Sequence, residues 1–188
     1  IDRDQAAADK GKAYASKRLE RDISKGRSTQ DKADAILARI HPGTDYAALA
    51  DVELVVEAVF EDRALKAEIT RKLDAVLAPN AVIASNTSAL PISELAEAGA
   101  HPENFIGMHF FSPVERMPLV EIVRGRKTSP ATLARALDLT QAMKKTPIVV
   151  NDGPGFFTSR FIGAYINESL AMVTEVINPA LIENAAKM

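Results

Sequence analysis

The sequence predicts a doubly wound α/β sheet followed by the start of an all-α portion. Three observations predict it. Short β-branched apolar runs alternate with amphipathic helical segments between about residues 50 and 150, and Pro, Gly and Asn punctuate the changes. After Asn151-Asp152-Gly153-Pro154-Gly155 the alternation stops and only helical patterning remains.

The segment from Arg3 to about Lys25 is rich in Ala, Lys, Glu and Asp and has no Pro, the composition of a long solvated helix, with Gly26 as its stop. A short helix is expected over Asp31 to Ile36, a turn over His41 to Asp45 and another short helical piece over Tyr46 to Leu49. The period then changes. Leu54 to Val59 reads as a strand buried on both faces. Asp62 to Ala78 is an amphipathic helix, with Leu65, Ile69, Leu73, Val76 and Leu77 at helical spacing and Pro79-Asn80 as terminator. Ala81 to Ser85 is the next strand, Ile92 to Ala98 a short helix and Phe105 to Phe111 a strand. Leu119 to Val123, a helix from Pro130 to Lys144 and a strand from Pro147 to Val150 complete a further unit, and such repeats favour parallel strands with right-handed crossovers. A long apolar helix from Phe156 to about Ile177, a break at Asn178-Pro179 and one more helix follow. The expected division is a sheet domain over 1–152 and the beginning of a helical domain over 153–188.

Composition bounds the function. The 188 residues are 47% hydrophobic and 26% charged, as in ordinary globular proteins. The net charge is -2 and no basic block stands out, which argues against nucleic acid or an anionic membrane surface as partner. No stretch approaches the ~20 apolar residues of a membrane span, and no signal-peptide pattern opens the chain. The absence of Cys excludes disulfides, thiolate metal sites and cysteine nucleophiles, and fits a reducing compartment; the lack of a targeting pattern makes a cytoplasmic location the expectation. Ile1-Asp2 opens the chain without Met, and Ala185-Ala186-Lys187-Met188 ends it inside a helical pattern, so a fragment of a longer protein is expected. There is no GxGxxG or GxxxxGK[ST]. If the sheet binds a dinucleotide, its first strand and phosphate-binding turn lie upstream of Ile1. Asp2 then ends the second strand, where an acid bonds the adenine-side ribose; a plain helix N-cap is the other reading.

Three places carry chemistry. Ser85-Asn86-Thr87-Ser88 leaves a buried strand, and ligands of open α/β sheets collect at the carboxyl ends of strands. The alternative is a turn in which Ser88 caps the helix near Pro91-Ile92. His109 ends another strand among Met and aromatic neighbours, and an imidazole, with an unperturbed pKa of about 6.5, suits a base near neutral pH. Alternatively it is a core histidine bonded to a backbone carbonyl. Glu121 interrupts the apolar run Leu119 to Val123, where a buried charge needs a partner. It can fix the His109 tautomer and stabilise an imidazolium; a wet strand face or pairing with Arg124 are the other readings. No GxSxG surrounds Ser88 and no HExxH is present, which leaves serine-hydrolase and metal catalysis without support.

Together, Leu-Val-Val-Glu-Ala-Val-Phe-Glu (54–61), Ser-Asn-Thr-Ser (85–88), His-Phe-Phe-Ser-Pro-Val (109–114), Leu-Val-Glu (119–121) and Asp-Gly-Pro-Gly-Phe (152–156) closely resemble the 3-hydroxyacyl-CoA dehydrogenase family. The ordered motifs run through essentially the whole chain, and the Ser-Pro after His-Phe-Phe and the Asn-Pro-Ala-Leu-Ile-Glu of 178–183 look most like the dehydrogenase part of a multifunctional fatty-acid oxidation protein. The resemblance implies a Rossmann-type NAD-binding sheet and oxidation of a 3-hydroxyacyl-CoA to a 3-oxoacyl-CoA by NAD. It implies His109 as base, Glu121 as its orienting carboxylate and Ser88 as a hydrogen-bond donor to the reacting oxygen. For NAD it implies Asp2, Val59, Phe60, Glu61, Lys66, Asn86, Ser88 and Ser112, and for substrate Ser88 and Ser159. Ser112 and Ser159 stand where the family commonly has Asn, and a hydroxyl differs from an amide in reach and geometry. The resemblance also implies an acyl-CoA substrate and either a homodimer or a larger complex with a thiolase subunit. Two rival readings are another Rossmann-type hydroxy-acid dehydrogenase and a non-catalytic NAD-binding or structural relative.

Overall fold

The computed structural model describes residues 1–187; Met188, the last residue of the expected helical domain, lies outside them. The chain divides into two compact units, one ending at Ala50 and the other beginning at Asp51.

The first unit is helical. α1 (Gln5–Ser24) starts where Asp4 accepts the Ala7 amide at 2.7 Å. It stops at Gly26, whose φ of +66° lets the Gly26 and Arg27 amides turn back onto Ile23 and Asp22. α2 (Gln30–Leu37), capped by Thr29, packs on α1, with Ala8 and Ala33 buried, and a 3₁₀ turn covers Tyr46–Leu49.

The second unit is a five-stranded sheet in the order β1 (Leu54–Glu57), β2 (Val82–Ser85), β3 (Phe105–Phe110), β4 (Leu119–Arg124), β5 (Thr146–Asn151). α3 (Arg63–Asp74) links β1 to β2, α4 (Ile92–Ala96) links β2 to β3 and α5 (Pro130–Ala142) links β4 to β5. α6 (Thr158–Thr174) and α7 (Pro179–Ala185) follow. β1, β2 and β3 are parallel, as are β4 and β5, but β3 and β4 run antiparallel. That corrects the expectation of parallel strands throughout. The reason is length: the segment from Phe111 to Pro118 holds no helix and is shorter than the dozen or so residues a parallel crossover needs.

Cross-strand partners project to the same side of a sheet, so the register sorts the two faces. Val82, Ala84, Ile106, Met108, Val120 and Ile122 form a dry face packed on Ala136, Leu133 and Leu137 of α5. The opposite face carries Glu57 paired with Ser85, Ser85 with Gly107, and His109 with Glu121. α4 covers this second face at Gly107: a Cβ there would meet the Ile92 side chain and the Val123 Cβ at 2.8 Å, so the helix approaches as it does because residue 107 has no side chain.

Three elements are markedly shorter than the apolar pattern suggests. α3 ends at Asp74 and not at Ala78, with the Val76 and Leu77 amides turning back onto Leu73. The sheet loses the chain after Glu57, so Val59 lies in a loop and not in β1. α6 begins at Thr158 instead of Phe156 because Gly155 and Phe156 both have positive φ, +71° and +47°, which is incompatible with a helix, and it ends before Val176, at φ +65°. No described helix is long and apolar enough to cross a membrane.

Candidate active site

β3 and β4 bring His109 and Glu121 side by side. They are cross-strand partners, with His109 Nδ1 2.6 Å from Glu121 Oε2. His109 is 5% exposed and Glu121 fully buried, so neither the wet-face nor the Arg124 reading of Glu121 holds. An ionised carboxylate only accepts, so Nδ1 carries the hydrogen and Nε2 is the nitrogen left for proton exchange. Phe111 and Phe156 flank the imidazole, with ring centroids 4.5 and 5.9 Å away.

Glu121 has three more donors. Its Oε1 accepts the amides of Phe157 at 3.1 Å and Thr158 at 2.8 Å, and its Oε2 accepts the Thr158 hydroxyl at 2.7 Å. Burial by itself raises the Glu121 carboxyl pKa. The Thr158 hydroxyl, the Thr158 amide and His109 outweigh that and hold it below the ordinary carboxylate range. Thr158 was not singled out by sequence reasoning: a Thr opening an apolar helix looks like an ordinary first-turn residue.

Around this pair the loops after β1 and β2 are tied by two carboxylates. Glu57 receives both Lys66 Nζ contacts, at 2.9 and 3.0 Å, the Ser85 hydroxyl and the Val59 amide at 3.1 Å. Lys66 Nζ also donates to the Val59 carbonyl at 3.3 Å and lies 3.7 Å from Glu61. Glu61 Oε1 in turn accepts the Thr87 hydroxyl at 2.6 Å and the Ser88 and Ala89 amides at 3.0 and 3.1 Å. Burial pushes Glu61 up, but the bonds from Thr87, Ser88 and Ala89 and the nearby Lys66 charge bring its pKa below the ordinary value. Glu57 was missed at the sequence level, although it interrupts an apolar run as Glu121 does.

Asn86 Oδ1 accepts the Phe110 amide at 3.0 Å, bridging the ends of β2 and β3. Ser88 is exposed, and it does not cap α4: Asp152 accepts the Ile92 and Ser93 amides, each at 2.8 Å. Phe60 is 81% exposed in the loop after β1, and Val59 is half-buried. Ser112 is exposed before a cis Pro113, and Ser159 is exposed in the first turn of α6. In the first unit, exposed Asp2 accepts the Arg3 amide at 2.7 Å. Among the described residues no cluster of three or more His, Asp or Glu side chains could hold a metal.

Residues 1–153 match the family model described as 3-hydroxyacyl-CoA dehydrogenase, NAD binding domain. The chain is 44% identical over 163 residues to the fatty acid oxidation complex subunit alpha of Shewanella baltica, an alignment covering 87% of this chain and 23% of that protein. It is similar in structure to the (S)-3-hydroxybutyryl-CoA dehydrogenase of Ralstonia eutropha, with a TM-score of 0.92 and 38% identity, over 96% of this chain and 64% of that one. It is also similar to a 3-hydroxybutyryl-CoA dehydrogenase of Escherichia coli K12, with a TM-score of 0.90 and 30% identity, over 94% of this chain and 38% of that one. The chain spans about a quarter of the length of the curated relatives it matches.

Proposed function

Because the chain belongs to the family of 3-hydroxyacyl-CoA dehydrogenase NAD-binding domains, we propose that the whole protein interconverts a 3-hydroxyacyl-CoA and its 3-oxoacyl-CoA in fatty-acid oxidation, with His109 as base. The observation that carries the reading is the buried His109–Glu121 pair, with Nδ1 fixed on a carboxylate and the ring placed near the end of β3. NAD, when bound, supplies the hydride acceptor. This chain's part is the proton. Nε2 of His109 takes it from the C3 hydroxyl during oxidation and returns it to the C3 oxygen during reduction, while Glu121 holds the tautomer and stabilises the imidazolium. Ser88 donates a hydrogen bond to the same oxygen, and Ser159 contacts the substrate.

The residues present suit NAD in their chemistry. Exposed Phe60 and half-buried Val59 offer an apolar surface, and exposed Ser88 and Ser112 offer hydroxyls. Asn86 holds the adjoining strand ends together. Glu61 and Lys66 serve the cofactor by fixing the two loops to each other, and Asp2 takes the adenine-side ribose. The helical portion from Gly153 onward begins the part that closes over substrate. Assembly as a homodimer, or with a thiolase subunit, belongs to the same reading. Its support is the likeness to a fatty acid oxidation complex subunit and the exposed Phe161, Ile162, Tyr165, Ile166 and Leu170 of α6.

The test follows NADH absorbance while 3-oxoacyl-CoA esters of several chain lengths are added to the whole protein. Oxidation of NADH is expected, with a loss of about a hundredfold or more in His109→Ala. Normal turnover in His109→Ala overturns the reading, and equal activity on the free 3-oxo acid favours a general hydroxy-acid dehydrogenase.

A further inference from the structure

We propose that Thr158 is a positioning residue for His109, acting through Glu121 to tie the base to the first turn of α6. The inference rests on the reading of His109 as base. It starts from a count of lone pairs: a carboxylate offers about four acceptor sites, and in Glu121 all four are engaged, by His109 Nδ1, the Thr158 hydroxyl, and the amides of Phe157 and Thr158. Three of the four donors come from two consecutive residues. The carboxylate plane is therefore set by α6 and not by β4 alone.

The arrangement serves the helix as well. Phe157, the residue before α6, has no side chain able to cap it, and the orphan amides at the helix start go to Glu121 instead. The approach to Thr158 is fixed on the other side, where Asp152 holds the Ile92 and Ser93 amides and the Gly155 amide donates to the Ala89 carbonyl at 3.3 Å. Thr158 thus arrives from a segment clamped to the loop that carries Ser88.

The hydroxyl does something the amides do not. It shares Oε2 with His109, at 2.7 Å against 2.6 Å for the imidazole. The amides hold only Oε1, so the hydroxyl is the α6 bond on the oxygen that meets the ring, and it draws off part of the negative charge that Oε2 would otherwise direct at the imidazole. The groups facing the ring are Glu121 on β4, Phe111 after β3 and Phe156 before α6. Removing the hydroxyl leaves His109 as the one side-chain donor to Oε2, so the protonated ring is favoured and the acid limb of the oxidation moves to higher pH.

The test compares Thr158→Val, which keeps the shape and both amide bonds, with Thr158→Ser, which keeps the hydroxyl. Both are made in the whole protein alongside wild type. Two readouts are used: the pH profile of kcat and KM with a 3-hydroxyacyl-CoA, and the titration of the His109 ring followed by NMR, assigned with a His109→Gln variant. In Thr158→Val, kcat falls by about tenfold at an unchanged KM for NAD, the acid limb and the ring titration both move to higher pH, and Thr158→Ser restores both. A Thr158→Val protein with wild-type kcat and an unmoved titration overturns the proposal. A titration that moves in a protein whose turnover does not need His109 supports the brace and overturns the role of His109 as base, so the two readings fail separately.

Discussion

The ammonium of Lys66 sits between the two carboxylate oxygens of Glu57, 2.9 and 3.0 Å away, in a pair whose side chains are 1% and 3% exposed. The Ser85 hydroxyl and the Val59 amide also donate to Glu57, and Lys66 donates to the Val59 carbonyl. Losing one partner of such a pair leaves an uncompensated buried charge. Lys66→Met is therefore expected to cost about 3–5 kcal/mol in denaturant unfolding, and the double variant Glu57→Gln with Lys66→Met to recover a substantial part of it. A loss below about 1 kcal/mol in the single variant would mean the pair contributes as an exposed one does.

Gly107 predicts a different kind of failure. A methyl group there meets Ile92 and Val123 at 2.8 Å, and Val123 is part of the sheet itself. Gly107→Ala should destabilise by about 1–3 kcal/mol through overpacking, read as a lowered Tm. Trimming the obstructing side chain in Ile92→Val should recover part of it. An unchanged melting temperature would show that α4 retreats freely from the sheet.

Acid should act on Glu61 and Glu121 together. Both carboxyls are held below the ordinary value of 4.5, so the native state binds their protons less readily than the unfolded chain does. Their contribution is complete above about pH 4.5 and is lost as pH falls through the lower native values. Unfolding free energy measured from pH 6 to 3 should fall more steeply in wild type than in Glu121→Gln. Parallel curves would remove Glu121 from the acid response.

Much of this was legible in the sequence, and the exceptions have physical causes. The five strands follow from short apolar runs, and β2 and β3 end at the polar and histidine motifs as expected. The loss of β1 after Glu57 was hidden because Ala58 and Val59 are as apolar as the strand before them; the backbone of Val59 leaves the ladder to serve Glu57 and Lys66. Phe156 reads as helix for the same reason, and only its positive φ, which places the ring on His109, says otherwise. The likeness of Glu57 to Glu121, each a carboxylate inside an apolar run, was a usable signal: a buried charge requires a partner, and Lys66 nine residues on was the cation within reach. Thr158 gave no comparable signal, because its partner lies on another strand and its own neighbours are helical.

The reversal between β3 and β4 also bears on the order in which the site comes together. His109 and Glu121 lie 12 positions apart and meet across a local strand pair, whereas Thr158 is 37 positions from Glu121. Closing the longer loop costs about 1 kcal/mol more chain entropy than closing the shorter. The histidine and its carboxylate therefore meet at a lower cost in chain entropy than the hydroxyl that fixes them.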